Sequence, residues 1–107
     1  MRGSQVVRIW KGEGTPDGVA RYCEEHFPEH VLPKLRDIDG FLEARVLVRT
    51  AEDKAEVVVL TTWESVEAVK AFVGESYERA VVEPAVSELL ERFDDEVTHY
   101  TIAHDVR

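Results

Sequence analysis

The sequence has a single cysteine, no apolar run long enough to cross a membrane, and few basic residues. With Cys23 alone, no disulfide can form within the chain, which is typical of a reducing cytoplasm, and we expect a cytoplasmic protein. Lys and Arg number 13 against 22 Asp and Glu, giving a formal net charge of −9. An acidic surface repels phosphate backbones and anionic lipids, so neither nucleic acid nor a membrane is an expected partner.

Motifs that mark several common enzyme classes are also missing from the sequence. It contains no glycine-rich phosphate loop, no Cys-x-x-Cys pair and no ordered Ser-His-Asp set, so nucleotide-binding, zinc-ribbon and serine hydrolase functions lack support. The first residues, MRGS, precede no apolar stretch and do not form a signal peptide. We interpret residues 1–4 as a tag remnant or a disordered start, and residues 5–107 as one domain.

What the sequence does contain is an alternation of short β-type runs and amphipathic helical stretches. Thr15 followed by Pro16 is typical of a helix start, and Ser65 and Gly74 bracket a second helix. The predicted elements are a strand at 5–11, a helix at 16–36 interrupted by Pro28 and Pro33, strands at 41–49 and 56–63, a helix at 66–73, a broken helical stretch at 77–93 and a final strand at 95–105.

The order β-α-β-β-α-β predicts an α+β, ferredoxin-like fold with a four-stranded antiparallel sheet. In this fold both helices cover one face of the sheet. The strand at 56–63 is apolar on both sides, with Val57 and Val59 on one face and Val58 and Leu60 on the other. A bare apolar face is unusual on a monomer, so the sequence predicts a homodimer that buries it.

Four segments occur in a characteristic order: VVRIW, HVLPKL running into DIDGF, TTWES followed by AVKAF, and THYTI. Through them nearly the whole chain resembles the antibiotic biosynthesis monooxygenase-like family of the dimeric α/β-barrel superfamily. The resemblance implies a pocket between sheet and helices in each subunit. Members include cofactor-free oxygenases of aromatic polyketides and haem-degrading oxygenases.

The functional residues of these members are only partly present. The polyketide oxygenases pair a tryptophan at the end of the third strand with an asparagine four residues earlier; the tryptophan matches Trp63, but Val59 stands at the asparagine position. The haem-degrading members use an asparagine on the first strand and a tryptophan and a histidine in the second helical region. The positions matched to these, Val7, Phe72 and Val82, are apolar, and valine cannot ligate iron. The resemblance therefore disfavours haem degradation.

His26 and His30 are four residues apart and share the inward stripe of the first helix. They could line a pocket as general bases, because an imidazole titrates near neutral pH. They could instead be hydrogen-bonded residues at the edge of the core, or two ligands of a metal whose third ligand comes from elsewhere, for example His99. We predict a pocket role for His26 or His30 and no metal site.

Trp63 could stack on a flat aromatic substrate or anchor the core between helix and sheet. The expected substrate contacts are Val59, Thr61, Phe72, Tyr22 and Arg45. A guanidinium from Arg8, Arg45 or Arg49 could hold a phenolate or enolate oxygen, or could simply pair with one of the many carboxylates.

The resemblance implies a cofactor-independent monooxygenase of an aromatic, polyketide-type molecule that needs no cofactor, and we predict Trp63, His26 and His30 as its catalytic residues. The protein would exclude water, orient the ring and remove a proton. Two alternatives stay open. One is a cyclase or isomerase using the same pocket and base, and the other is a non-catalytic dimer that binds a small ligand.

Overall fold

The computed structural model describes residues 4–106, so Met1 to Gly3 of the segment interpreted as a tag lie outside the described residues. Within this range no helix has the length and apolar character to cross a membrane. The elements are β1 Val6–Gly14, α1 Pro16–Arg21, a π-helical segment Tyr22–Val31, α2 Leu32–Arg36, β2 Phe41–Ala51, β3 Lys54–Trp63, α3 Val66–Val73, α4 Val86–Leu89, β4 Arg92–Phe93 and β5 Thr98–Thr101.

All strand pairs are antiparallel, and the strands lie in the order β2-β3-β1-β4. The fourth place in the sheet is shared, because β4 pairs with Gly12 and Glu13 while β5 pairs with Val6 to Ile9 of the same strand. This is the strand order of a ferredoxin-like sheet, so the predicted α+β class is confirmed. The central position of β1 and β3 gives both strands a neighbour on each side.

The first helix runs through residues 16–36 with a change of winding in its middle. Thr15 Oγ1 accepts a hydrogen bond from the Gly18 N–H at 3.0 Å, and Pro16 occupies the first turn, where its missing N–H costs nothing. Pro28 lies inside the π-helical segment, whose wider turn is seen where the Leu32 N–H donates to the Phe27 carbonyl. The predicted interruption is therefore a local π-helix rather than a break.

The second helix also matches its prediction. Ser65 Oγ accepts from the Ala68 N–H at 3.2 Å, and α3 ends at Gly74, whose φ of 88° suits a residue without a side chain.

The predicted helical stretch at 77–93 is wrong for most of its length, since this fully described segment holds one short helix, α4, and then β4. Its backbone groups pair with the chain that follows instead: the Ala80 N–H donates to Asp95 O at 2.9 Å, and the Val97 N–H to Glu78 O at 2.8 Å. Tertiary pairing thus replaces the local helix bonds. The same pairing shortens the final strand from 95–105 to β5.

The two faces of the sheet differ in what covers them. Val57, Val59, Thr61 and Trp63 are buried under the helices, as the alternation of β3 predicts. The outer face carries the half-buried Val58 and Leu60 of β3, and around them Leu47 is 47% and Tyr100 57% exposed.

One residue of β2 departs from the predicted alternation. A bulge between Phe41 and Glu43 turns Phe41 towards Trp63 and moves Leu42 onto the outer face beside Leu60, whereas strict alternation would place Leu42 on the inner face with Ala44 and Val46.

Candidate functional site

A cavity of about 90 Å³ lies between the helix-covered face of the sheet and the first helix. Its floor is formed by β1 and β3, one wall by the π-helical segment and α2, and the opposite wall by α3 and residues 81–86. Four of the five predicted substrate contacts lie in its lining: Tyr22, Val59, Thr61 and Phe72. The strand parity of β3 and the inward stripe of the helix bring these side chains together.

His26 is the buried histidine of the site, with 5% of its surface exposed. Its ring lies 5.3 Å from that of Tyr22 and 5.1 Å from that of His30, centre to centre. Neither ring nitrogen has a hydrogen bond within residues 4–106, yet no buried side-chain nitrogen there is unsatisfied. The nitrogens are therefore open to the cavity.

Burial lowers the pKa of the His26 imidazole below its ordinary value, and the nearby Glu83 carboxylate opposes this only in part. A histidine in this state is neutral at neutral pH. It can accept a proton from a molecule in the cavity.

His30 lies at the mouth of the cavity and is exposed, so the two histidines differ in environment although they share a helical face. Lys34 Nζ and Glu83 Oε1 are 2.6 Å apart across the same mouth. This ion pair joins α2 to the irregular segment before α4. The Lys34 hydrogen bond holds the pKa of the Glu83 carboxyl below its usual range.

Trp63 lies one layer behind the cavity wall, so its predicted stacking on a substrate is corrected and its alternative place as a core anchor is the one seen. It is fully buried, and its ring centre is 5.5 Å from that of Phe41 and 5.5 Å from that of Phe72. Its indole N–H donates to Thr61 Oγ1 at 2.9 Å. Trp63 therefore fixes Phe72 and Thr61, which do line the cavity.

Arg45 is not brought to the cavity. Its neighbours Ala44 and Val46 pair with Thr61 and Val59 on the helix-covered face, so Arg45 points to the outer face, where its Nε lies 3.6 Å from Glu43 Oε1. The predicted substrate contact is corrected for this reason. Val7, matched to the first-strand asparagine of haem-degrading enzymes, also points outwards, because Arg8 and Trp10 face the cavity.

Trp10 was not predicted as a site residue, although extending the strand parity to β1 would have found it. It lines the cavity and stacks on Tyr22, with ring centres 5.6 Å apart. Its indole N–H donates to the Asp94 carbonyl at 3.0 Å. Burial raises the pKa of the Tyr22 phenol, which stays protonated and can act as a donor.

Arg8 is the charged residue of the cavity floor and is only 7% exposed. Its Nη1 donates to the Tyr77 carbonyl at 2.6 Å, and its Nη2 donates to the Arg79 carbonyl at 3.2 Å. Nη1 also lies 3.2 Å from His99 Nε2, which must accept because arginine only donates. Burial lowers the pKa of the guanidinium to about 10, so it remains charged at neutral pH.

The sequence left open whether an arginine of the strands pairs with a carboxylate and whether His99 completes a metal site. Arg8 pairs with carbonyl groups and a histidine, and no carboxylate within residues 4–106 lies within 4.0 Å of it. His99 contacts Arg8 and Tyr77. In the described part of the chain, no group of three or more His, Cys, Asp or Glu side chains is arranged to hold a metal ion.

The sequence profile of one family, antibiotic biosynthesis monooxygenase, matches residues 13–84, which is more than half of the chain. The chain belongs to this family. The match takes in the π-helical segment, α2, β3, α3 and residues 81–83, which together supply most of the cavity lining. No curated protein matches the chain with significant similarity.

Solved structures share the fold over almost the whole chain. The ActVA-Orf6 monooxygenase of Streptomyces coelicolor, in complex with nanaomycin D, is 20% identical with a TM-score of 0.65, over 97% of this chain and 91% of that one. The haem-degrader MhuD of Mycobacterium tuberculosis, with two haems in its active site, is 23% identical with a TM-score of 0.61, over 95% of this chain and 99% of that one. A dimeric ferredoxin-like protein from an uncultured marine organism is 9% identical with a TM-score of 0.70, over 97% of this chain and 100% of that one.

Proposed function

We propose that this member of the family is a cofactor-independent monooxygenase acting on a small, electron-rich aromatic molecule bound in the cavity. The observation that carries the proposal is the neutral, buried His26, whose ring nitrogens open into an otherwise mostly apolar cavity. An apolar cavity with one positioned base favours abstraction of a proton from a bound molecule. The monooxygenase bound to nanaomycin D on the same fold supports an aromatic ligand.

In this reaction the substrate itself supplies the electrons. His26 removes a proton from a carbon or hydroxyl that conjugates with the ring, and the resulting anion transfers an electron to O₂. Recombination forms a C–O bond. Where the carbon is a CH₂ attached to the aromatic ring, one oxygen atom ends as the carbonyl, and the other leaves as water with the two hydrogens. The four electrons that O₂ accepts come from that CH₂, so no external reductant is needed.

Trp63 enters this proposal as a positioning residue, since it lies behind the wall and holds the Thr61 hydroxyl through its indole N–H. Val59, on the cavity floor, offers no amide to an oxygen intermediate. The polar groups that remain at the floor are Thr61 and Arg8. Any stabilisation of developing negative charge there falls to these two side chains.

Oxygen uptake with a panel of hydroquinones and other single-ring phenols tests the proposal. His26→Gln should lower the rate about 100-fold or more, the usual contribution of a general base. His104→Gln, a change of an exposed histidine near the end of the chain, is the matched control and should leave the rate unchanged. Conversion of substrate without oxygen uptake would replace the proposal by a cyclase or isomerase using the same base. Binding without any turnover would replace it by a ligand-binding role.

We also propose that the protein works as a homodimer formed by the outer face of the sheet. Support comes from the exposure of Leu47 and Tyr100 around the half-buried Val58 and Leu60, an apolar surface that water would otherwise cover. The dimeric ferredoxin-like protein with the same fold points the same way. Two copies of this face, related by a twofold axis, would bury each other's apolar residues.

A haem-degrading role has less support. The cavity of about 90 Å³ is well below the roughly 300–1,000 Å³ of typical small-molecule sites, and haem is a large ligand. Val82, in the cavity wall at the position matched to the histidine of haem-degrading relatives, has no atom that can bind iron.

A further inference from the structure

Arg8 is a buried cation whose charge no acidic side chain of the described residues balances. It is only 7% exposed, and its hydrogen bonds go to the Tyr77 and Arg79 carbonyls and to His99. None of these partners carries a negative charge. In a protein with 22 acidic residues and a net charge of −9, such a cation would be expected to have a carboxylate neighbour. An uncompensated buried charge is costly, and proteins keep one where a ligand completes it.

The donor geometry of Arg8 leaves part of the guanidinium free. Of its five N–H groups, one on Nη2 and two on Nη1 account for the three hydrogen bonds. The Nε–H has no acceptor within residues 4–106. Because no buried side-chain nitrogen of the described chain is left unsatisfied, this donor faces open space, and the cavity that Arg8 lines supplies it.

The cavity is positive although the protein is acidic. Its ionisable lining residues besides the histidines and Tyr22 are Arg8, Lys34 and Glu83. Lys34 and Glu83 neutralise each other at the mouth, with Nζ and Oε1 2.6 Å apart. Arg8 is thus the one charge left over in that lining, at the floor beside Thr61, and it attracts a single negative charge.

We propose that the natural ligand of this cavity is an aromatic anion of about one ring, whose carboxylate, phenolate or enolate oxygen binds the free Nε–H edge of Arg8. The inference rests on the proposed function in taking this cavity as the binding site, and it deepens that function by naming the charge and size of the substrate. A dry cavity of about 150 Å³ accommodates benzene, so the 90 Å³ seen here suits a single ring at most. His26, from the helical wall, would then face the ring while Arg8 holds its anionic end.

A purely structural role for Arg8 is the competing explanation, because its bonds to Tyr77 and Arg79 fasten the segment after α3 to the sheet. That role uses Nη1 and Nη2 and leaves the Nε–H without a partner in the described chain. It also does not explain why the fastening cation lines a cavity. A structural role predicts no difference between charged and neutral ligands of the same shape, and this is the point that can be measured.

The test measures the equilibrium binding of matched probes from the NMR chemical shifts of the protein in solution. It involves no turnover. Benzoate is paired with the isosteric neutral benzamide, and 4-nitrophenolate, above its own pKa, with 4-nitroanisole. The wild type should bind at least one anion about tenfold or more tightly than its neutral partner, the effect of one hydrogen bond to a charged group. The arm with the larger ratio identifies the source of the charge as a carboxylate or a phenolate. The shifts should centre on Val59, Thr61 and Trp10.

Arg8→Met should abolish the preference, whereas Arg36→Met, which removes an exposed arginine of α2, should keep it. Equal binding of charged and neutral probes by the wild type, shifts centred elsewhere, or a preference that survives in Arg8→Met would each overturn the inference. Should Arg8→Met fail to fold, the wild-type comparison and its shift map still decide. Absence of binding by every probe also overturns it, while oxygen uptake with the larger panel judges the proposed function separately.

Discussion

The hydrogen bond from Trp63 to Thr61 gives a sharp prediction, because both partners are buried and one substitution removes the acceptor alone. Thr61→Val keeps the size and shape of the side chain and replaces its hydroxyl by a methyl group. The Trp63 indole N–H, which now donates to Thr61 Oγ1 at 2.9 Å, would then have no acceptor. Since Trp63 is fully buried, water cannot take over that role.

A buried donor left without a partner costs about 1–3 kcal/mol. We expect the free energy of unfolding of Thr61→Val to fall by that amount. Thr61→Ser keeps the hydroxyl and loses one methyl group, so its cost should be about 0.8 kcal/mol, the transfer free energy of one buried carbon. Thr62→Val changes the same residue type on the outer face, where the threonine is half-buried, and should be neutral or slightly stabilising.

Urea unfolding at one fixed protein concentration measures these differences, the fixed concentration being needed because dimerisation would contribute to stability. Trp63→Phe has no N–H to satisfy, so adding Thr61→Val to it should cost much less than adding it to the wild type. If Thr61→Val is as stable as the wild type, or if its cost is the same in the Trp63→Phe variant as in the parent, the bond does not hold Thr61 in place.

Three further predictions concern other parts of the molecule. Gly74→Ala should lower the free energy of unfolding by about 1–3 kcal/mol in urea, because φ of 88° with ψ of −171° is a conformation that alanine rarely adopts; a neutral effect would contradict this. Burial lowers the pKa of His26 in the folded state, so the unfolded chain binds that proton more tightly, and the free energy of unfolding should fall as pH drops below about 6.5. Urea unfolding at several pH values should show a smaller fall in His26→Gln than in the wild type. If the free energy of unfolding depends on pH equally in both proteins, His26 does not contribute, and His99, whose pKa burial also lowers, is then the histidine to test. Leu60→Glu should dissociate or unfold the proposed dimer by burying an unpaired charge, and a wild type that is monomeric by light scattering at micromolar concentration would refute the dimer itself.

Much of the fold follows from local patterns in the sequence. The alternation of Val57, Val59, Thr61 and Trp63 correctly identifies the helix-covered face of β3, because a strand has a strict period of two. Thr15, Ser65 and Gly74 correctly mark helix ends, because capping depends on neighbouring residues alone. The segment 77–93 could not be predicted this way, since its hydrogen bonds reach residues 95–97.

The site could be predicted only where the period of a strand or helix fixes the direction of a side chain. Helical spacing brings His26 and Phe72 to the cavity and strand alternation brings Thr61, and the same alternation applied to β2 would have excluded Arg45. The position of Trp63 behind Thr61 includes a side-chain hydrogen bond, which no pattern in the sequence predicts. Arg8 was one of several arginines on strands, and only the structure shows that its partners are carbonyl groups rather than carboxylates.

The size of the cavity and the attachment of its wall are physically linked. Val81, Val82 and Glu83 form the wall opposite the π-helical segment, and they belong to a stretch without regular secondary structure. That stretch is attached at one end by Arg8, through the Tyr77 and Arg79 carbonyls, and at the other by the Lys34–Glu83 ion pair. A ligand of several fused rings exceeds the present volume, so it must displace this wall and strain or break one of these attachments. An anion that binds Arg8 at its Nε–H leaves both carbonyl bonds intact, which makes a small charged ring the ligand that this arrangement admits at least cost.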